Sequence, residues 1–213
     1  ISPFSMNVCA CMVVIFINNQ LVRFGGDMSV GAFGIANRIV FIFVMFVMGI
    51  NQGMQPIAGY NYGAQKLDRM MQVVKLSIIA ATVIMILGWF LAMLAPRQCV
   101  SLFTTDQHLI ETTVHGMRRM MLMLPIVGYQ MVITNFFQCI GKVKISIFLS
   151  LSRQLLFLLP ALALLPIWFG LDGVWLAQPV SDFIASVVTA WIMIVYMHKF
   201  KLQHKENQYG RQE

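Results

Sequence analysis

Two ionisable side chains lie deep within long apolar stretches of this sequence. Asp182 is the only carboxylate so placed, and Arg38 lies at nearly the same distance from the matching end of another stretch. A charged group in an apolar helix is costly, so it faces protein or water and takes a partner. We therefore expect an ion pair between Arg38 and Asp182, which either orients two helices or serves a function.

Amide and aromatic side chains in the same stretches form a second group with useful chemistry. Amides can ligate sodium or hydrogen-bond a substrate, and they also hydrogen-bond between helices. Aromatic rings attract organic cations, and they also fill a core. Both uses remain open for the candidate cavity-lining residues, which are Asn18, Asn19, Phe41, Gln52, Gln55, Tyr129, Asn135 and Phe136.

The signatures of catalysis are missing from the sequence. It contains no G-x-S-x-G, no H-E-x-x-H and no phosphate-binding loop. Its four histidines fall in connectors or at the end of an apolar stretch, and its four cysteines lack zinc-site spacing. We predict that the protein is not an enzyme and has neither a metal site nor an organic cofactor.

Composition identifies the elements that must position these residues. Of 213 residues, 59% are hydrophobic and 11% are charged, whereas soluble domains have about 25% charged residues. The apolar stretches are long enough to span a bilayer and do not alternate with period two, which favours helices over a barrel. The sequence predicts an all-α, polytopic lobe over residues 1–198 and a polar tail over 199–213. The six predicted spans are about 4–22, 30–57, 73–95, 117–140, 145–169 and 173–197.

Basic residues set the predicted orientation in the membrane. Ten of them fall on one side of the predicted spans and four on the other. The positive-inside rule therefore places both termini in the cytoplasm. The net charge of +7 then reflects membrane topology and not nucleic-acid binding. The ten are Lys66, Arg69, Lys75, Lys142, Lys144, Arg153, Lys199, Lys201, Lys205 and Arg211, and the four are Arg23, Arg97, Arg118 and Arg119.

Two connectors carry further information. In the outer connector, about 96–116, Thr105 and Asp106 resemble helix-capping residues, so we expect a short interfacial helix there, with a plain loop as the alternative. In the inner connector, about 58–75, Gly59, Asn61 and Gly63 give the backbone freedom. We expect this cytoplasmic loop to shape the inner entrance, or else to be an ordinary turn.

Four motifs resemble the multidrug and toxic compound extrusion (MATE) family. The residues GAFGIANR at 31–38 and GINQGMQPIAGYNYGA at 49–64 resemble that family's eighth helix and the loop after it. FQCIGK at 137–142 resembles the end of the tenth helix, and GVWLAQPVSD at 173–182 the start of the twelfth. The motifs occur in order and at suitable spacing over nearly the whole chain.

The resemblance implies one half of a transporter built from two six-helix lobes around a central cavity. This chain would be the C-terminal lobe, and its partners would be the N-terminal lobe, the lipid bilayer and small amphipathic or cationic substrates. The implied function is secondary active efflux of such compounds from the cell, through the cell membrane, in exchange for sodium or protons. A lipid-linked oligosaccharide flippase of the same superfamily and a non-transporting membrane scaffold remain the alternatives.

The resemblance also bears on the coupling ion. Some family members carry carboxylates on the seventh and tenth helices for that ion. The predicted spans 4–22 and 117–140, which would correspond to those helices, contain no carboxylate. We therefore expect the main site for sodium or protons to lie in the other lobe.

The orientation can be tested by cysteine labelling. After replacement of the native cysteines, Lys66→Cys should resist an impermeant maleimide applied to intact cells, because the predicted connector faces the cytoplasm. Arg97→Cys, on the opposite side, is the matched control and should be labelled. The reverse pattern would overturn the predicted orientation.

Overall fold

The computed structural model describes the backbone of residues 2–209 and the side chains of residue 8 and residues 10–197. Within that part of the chain the regular structure is entirely helical, as predicted. The helices are α1 (Ser2–Gly63), α2 (Leu67–Leu94), α3 (Pro96–Ser101), α4 (Gln107–Met120), α5 (Leu124–Cys139), α6 (Val143–Leu151), α7 (Leu159–Phe169) and α8 (Leu171–Tyr209). A π-helical segment, Ser152–Leu158, joins α6 to α7.

The first helix contains two membrane crossings separated by a break. Gly26 has φ 70° and ψ −176°, a left-handed conformation that favours glycine. The apolar part of α1, Ala10–Gly63, has 54 residues and would extend about 80 Å if straight, far more than the ~30 Å of hydrocarbon. The predicted spans 4–22 and 30–57 lie on either side of Gly26.

Contacts between connectors show that the chain crosses the bundle six times. At one end, the Met28 sulfur lies 2.8 Å from a ring nitrogen of His108, and Leu171 packs beside Gly25. At the other end, Gly59 lies beside the Cys139 carbonyl. By length and composition alone, four helices of the described chain could cross a membrane, or five with the bent pair α4–α5. The break in α1 adds the sixth.

The outer connector contains helices and not a plain loop. Asp106 caps α4 by accepting hydrogen bonds from the backbone N–H groups of His108, at 2.9 Å, and Leu109, at 3.4 Å. The capping prediction for this residue is confirmed. A 57° bend separates α4 from α5, so the stretch predicted as one span over 117–140 is divided around residues 121–123.

The inner connector is much shorter than predicted. Gly59, Asn61 and Gly63 belong to the last turns of α1, so the expectation that they form a loop was wrong. The helix passes through Pro56, and the Asn61 side chain donates to the Ile57 carbonyl at 2.8 Å. The connector itself is only residues 64–66.

The end of α1 has the hydrogen bonds of a Schellman motif. The Lys66 N–H donates to the Asn61 carbonyl at 2.8 Å, and the Gln65 N–H donates to the Tyr62 carbonyl at 3.1 Å. Gln65 occupies the position where glycine is usual, with φ 57°. The steric cost of this conformation at Gln65 is offset because the two hydrogen bonds satisfy carbonyls that would otherwise lack partners.

The helices pack closely where glycine allows it. A Cβ atom on Gly116 of α4 would lie 2.2 Å from the Trp175 ring, so only glycine lets this fully buried indole of α8 approach. The main core joins α1 to α6 and α8, while many large apolar side chains remain exposed. Exposed apolar side chains are expected where a helix faces lipid or another lobe.

The positive φ at Gln65 makes a direct prediction. Gln65→Gly should raise the free energy of unfolding of the full-length protein by about 0.5–1 kcal/mol, because glycine adopts this conformation without steric cost. The measurement is the thermal denaturation midpoint in detergent. Gln72→Gly, at an exposed site within α2, is the matched control and should lower that free energy by a similar amount. Equal destabilisation by both changes would contradict the capping geometry.

Candidate functional site

A polar cavity of about 420 Å³ lies among the second crossing of α1, α5, the α6–π segment and α8. Half of its lining is polar or charged, which is unusual for a site inside an apolar helical bundle. The polar lining residues are Asn37, Gln130, Thr134, Asn135, Ser150, Arg153, Gln154, Gln178 and Asp182. The apolar ones are Val40, Phe41, Val44, Met48, Met120, Leu124, Val127, Met131 and Leu149.

Asp182 pairs with Arg153 in this cavity. The Arg153 Nη1 lies 3.4 Å from the Asp182 Oδ1, and the side chains are 32% and 10% exposed. The prediction that Arg38 is the partner of Asp182 was wrong. Arg38 is an exposed residue of α1 and does not line the cavity. Similar depth did not bring Arg38 and Asp182 together because it says nothing about the direction in which each side chain points from its helix.

Arg153 lines the cavity from within the π-helical segment. The Leu159 N–H donates to the Gln154 carbonyl, five residues earlier, which widens this turn. Pro160 follows and has no N–H to donate. The buried Ser181 hydroxyl of α8 donates to the Arg153 carbonyl at 2.9 Å. Arg153 is therefore held to α8 through its backbone and its side chain. It was counted among the ten cytoplasmic basic residues, so nine remain against four.

Two of the predicted amides form one connected pair beside the cavity. Gln55 Nε2 donates to Asn135 Oδ1 at 3.2 Å, and Asn135 Nδ2 donates to the Met131 carbonyl at 2.9 Å. Asn135 lines the cavity. Gln55 is not among the lining residues and holds the Asn135 side chain by its hydrogen bond. Gln130, one turn earlier on α5, is buried, and its Oε1 has no hydrogen-bond partner among the described residues.

The three aromatic residues that were predicted to line the cavity lie in different places. Phe41 lines the cavity. Phe136 is fully buried against Phe137, so it belongs to the core and not to the cavity. The Tyr129 hydroxyl donates to the Ser186 carbonyl at 2.6 Å and ties α5 to α8.

Four predicted amides lie outside the cavity lining, namely Asn18, Asn19, Gln52 and Gln55. The lining amides that were not predicted as such are Asn37, Gln130, Gln154 and Gln178. These amides stand out in the sequence as polar residues in apolar helices. The sequence does not reveal the direction in which each side chain points.

A second charged cluster lies at the outer end of the lobe. Arg119 bonds both Asp172 and a ring nitrogen of His115, which joins the end of α4 to the start of α8. Arg97 and Glu111 form an exposed pair at 3.4 Å. Nearby, burial raises the pKa of the Cys99 thiol, so this cysteine is a poor nucleophile. This cluster is structural in character and lies apart from the cavity.

The pairing of Arg153 with Asp182 can be tested by a double-mutant cycle. Arg153→Gln and Asp182→Asn should show a coupling free energy of about 1–3 kcal/mol, because each single change leaves a poorly solvated charge without its partner. The measurement is denaturation of the purified full-length protein. The same cycle with Arg38→Gln in place of Arg153→Gln is the control, and its effects should add. A larger coupling for Arg38 would contradict this pairing.

Comparison with known proteins gives the cavity its context. The family model described as MatE matches residues 3–162. The multidrug export protein MepA of Staphylococcus aureus strain MSSA476 is 25% identical over 202 residues, covering 95% of this chain and 44% of that protein. The same-named protein of Staphylococcus haemolyticus is 26% identical over 192 residues, covering 88% and 42%. The chain thus spans less than half the length of the curated relatives it matches.

Solved structures show the same fold. The MATE multidrug transporter DinF-BH, in complex with rhodamine 6G, matches with TM-score 0.79 and 39% identity over 91% of this chain and 43% of that one. A MOP superfamily transporter from Pyrococcus furiosus matches with TM-score 0.85 and 21% identity, covering 92% and 44%. This multi-pass membrane chain, which forms one six-helix lobe of the size of half such a transporter, belongs to the MatE family.

Proposed function

We propose that the chain is the C-terminal lobe of a secondary active multidrug efflux antiporter. The protein would export amphipathic organic compounds from the cell in exchange for sodium or protons. The observation that carries this proposal is the polar cavity, because an ion pair and several amides inside an apolar bundle are expensive unless they serve a ligand or a water-filled path. The names of the relatives, multidrug export proteins and a multidrug transporter, agree with this role.

The cavity combines two surfaces that suit amphipathic compounds. Val40, Phe41, Val44 and Met48 form an apolar wall along one helix of the cavity. Methionine and aromatic side chains can adapt to ligands of different shape, which favours broad specificity. Except for Asn37 of α1, the polar groups lie on α5, α6, α8 and the π segment. A bound compound would therefore place its ring system on α1 and its polar group on the facing helices.

The N-terminal lobe is the partner that we propose for the exposed face of α1. Phe41, Met45 and Met48 lie at intervals of three or four residues, and all three are exposed. Such a stripe on one helical face suits packing against another apolar surface. Closure of the two lobes around the cavity would then provide alternating access, with both termini of this lobe in the cytoplasm.

The alternatives receive less support from the cavity. A flippase of lipid-linked oligosaccharides should have a strongly cationic cavity, whereas among the described residues Arg153 is the single basic group in this lining and is paired with Asp182. A scaffold that does not transport has no need for a cavity with buried polar groups.

Reconstitution tests the proposed function. The full-length protein in proteoliposomes should move the cationic dye rhodamine 6G against its concentration gradient when a sodium or proton gradient is imposed. Dissipation of both gradients should stop this movement. Movement that continues without either gradient, or movement that no gradient supports, would contradict an antiporter.

Asp182→Asn tests where coupling resides. We expect transport to weaken about tenfold because the variant disturbs the cavity, while the dependence on the ion gradient persists. The physical reason is that Asp182 already neutralises Arg153, so the main coupling carboxylate is proposed to lie in the other lobe. If the variant folds and binds substrate but responds to neither gradient, coupling resides at Asp182 and this part of the proposal is wrong.

A further inference from the structure

We infer that Arg153 is a subsite for an acidic group of the transported compound. The cavity would therefore favour compounds that carry a carboxylate on an apolar body over otherwise similar compounds that lack one. This inference rests on the proposed function and deepens it by naming the class of substrate that this lobe accepts.

The more accessible charge in the cavity is the positive one. The Arg153 side chain is 32% exposed, and that of Asp182 is 10% exposed. Among the described residues, the Arg153 guanidinium makes one hydrogen bond, from Nη1 to Asp182 at 3.4 Å. A guanidinium has five N–H donors in a planar fork, so most of them are available to a ligand.

An acidic group can join this ion pair without breaking it. A carboxylate that approaches the free edge of the guanidinium forms charge-assisted hydrogen bonds while Asp182 keeps its contact. A simple cation finds less room, because only 10% of the Asp182 side chain is exposed and the positive charge of Arg153 lies beside it. Because Arg153 is the more exposed of the two charged side chains, the cavity favours an acidic ligand group at Arg153.

Fixed backbone contacts keep Arg153 in place for this role. The Ser181 hydroxyl holds the Arg153 carbonyl at 2.9 Å, and the Arg153 side chain contacts Asp182 on the same helix, α8. A prearranged donor loses little freedom when it binds, which raises affinity. The remaining lining side chains near the pair, such as Gln154 and Gln178, are neutral and do not oppose an anion.

Two dyes that share a ring system provide the test. Rhodamine 6G is a cationic ethyl ester, and rhodamine 19 is its free acid, which adds a carboxylate. Binding to the purified full-length protein in detergent is measured by fluorescence anisotropy. We expect the wild-type protein to bind the acid about tenfold more tightly than the ester. Equal affinities, or tighter binding of the ester, would overturn the inference.

Variants identify the group responsible. Arg153→Gln should weaken binding of the acid about tenfold and tighten binding of the ester, because Asp182 then lacks its counter-charge and attracts the cationic dye, so the preference is lost. Arg38→Gln, at an arginine outside the cavity, is the matched control and should alter neither affinity. Equal weakening of both dyes by Arg153→Gln would assign Arg153 a structural role only and overturn the inference.

Arg153→Lys provides a second measurement if Arg153→Gln does not fold. Lysine keeps the charge but loses the fork, so the preference for the acid should shrink without reversing. An unchanged preference in this folded variant would contradict the guanidinium subsite. The two proposals fail separately, because a wild-type protein that transports rhodamine 6G without preferring the acid refutes only the subsite.

Discussion

The requirement that a carboxylate buried in an apolar bundle must have a counter-charge governs this lobe. Asp182 lies on α8 with little access to solvent, and Arg153 of the π-helical segment meets it. Removal of either charge would leave the other poorly solvated. The pair therefore fixes the register of α8 against α6 and α7, and it keeps polar atoms together in a region where most side chains are apolar.

The same constraint acts on the backbone. The three irregular regions are the break at Gly26, the bend between α4 and α5, and the π segment. A polar side chain compensates the backbone at two of them. The Ser29 hydroxyl donates to the Gly25 carbonyl at 2.8 Å, and the Ser181 hydroxyl donates to the Arg153 carbonyl at 2.9 Å. Irregular backbone is tolerated in a membrane protein where other groups satisfy it or where it lines a cavity.

These irregularities determine what the cavity can do. A π turn holds one residue more than an α-helical turn, so it rotates the side chains before it relative to those after it. The charged groups and four of the five lining amides lie on other helices of the cavity than the apolar side chains of α1. This arrangement suits compounds that are apolar along one side and polar along the other. It also makes the acceptance of a substrate depend on its charge pattern and not on its hydrophobicity alone.

The sequence by itself determined the helical class, the membrane embedding and the family. Each follows from a property local in sequence: runs of apolar residues, capping residues such as Asp106, and motifs such as that at 49–64. It also indicated which polar residues are unusual, because any polar residue in an apolar helix stands out.

Tertiary structure decided which of these polar residues contact one another. Arg38 and Asp182 share a predicted depth, yet Arg153 is the partner of Asp182. Depth gives only the position of a residue along its helix. The direction of its side chain depends on the rotation of each helix about its axis and on the extra residue of a π turn. For the same reason Phe136 lies in the core while Phe41 lines the cavity.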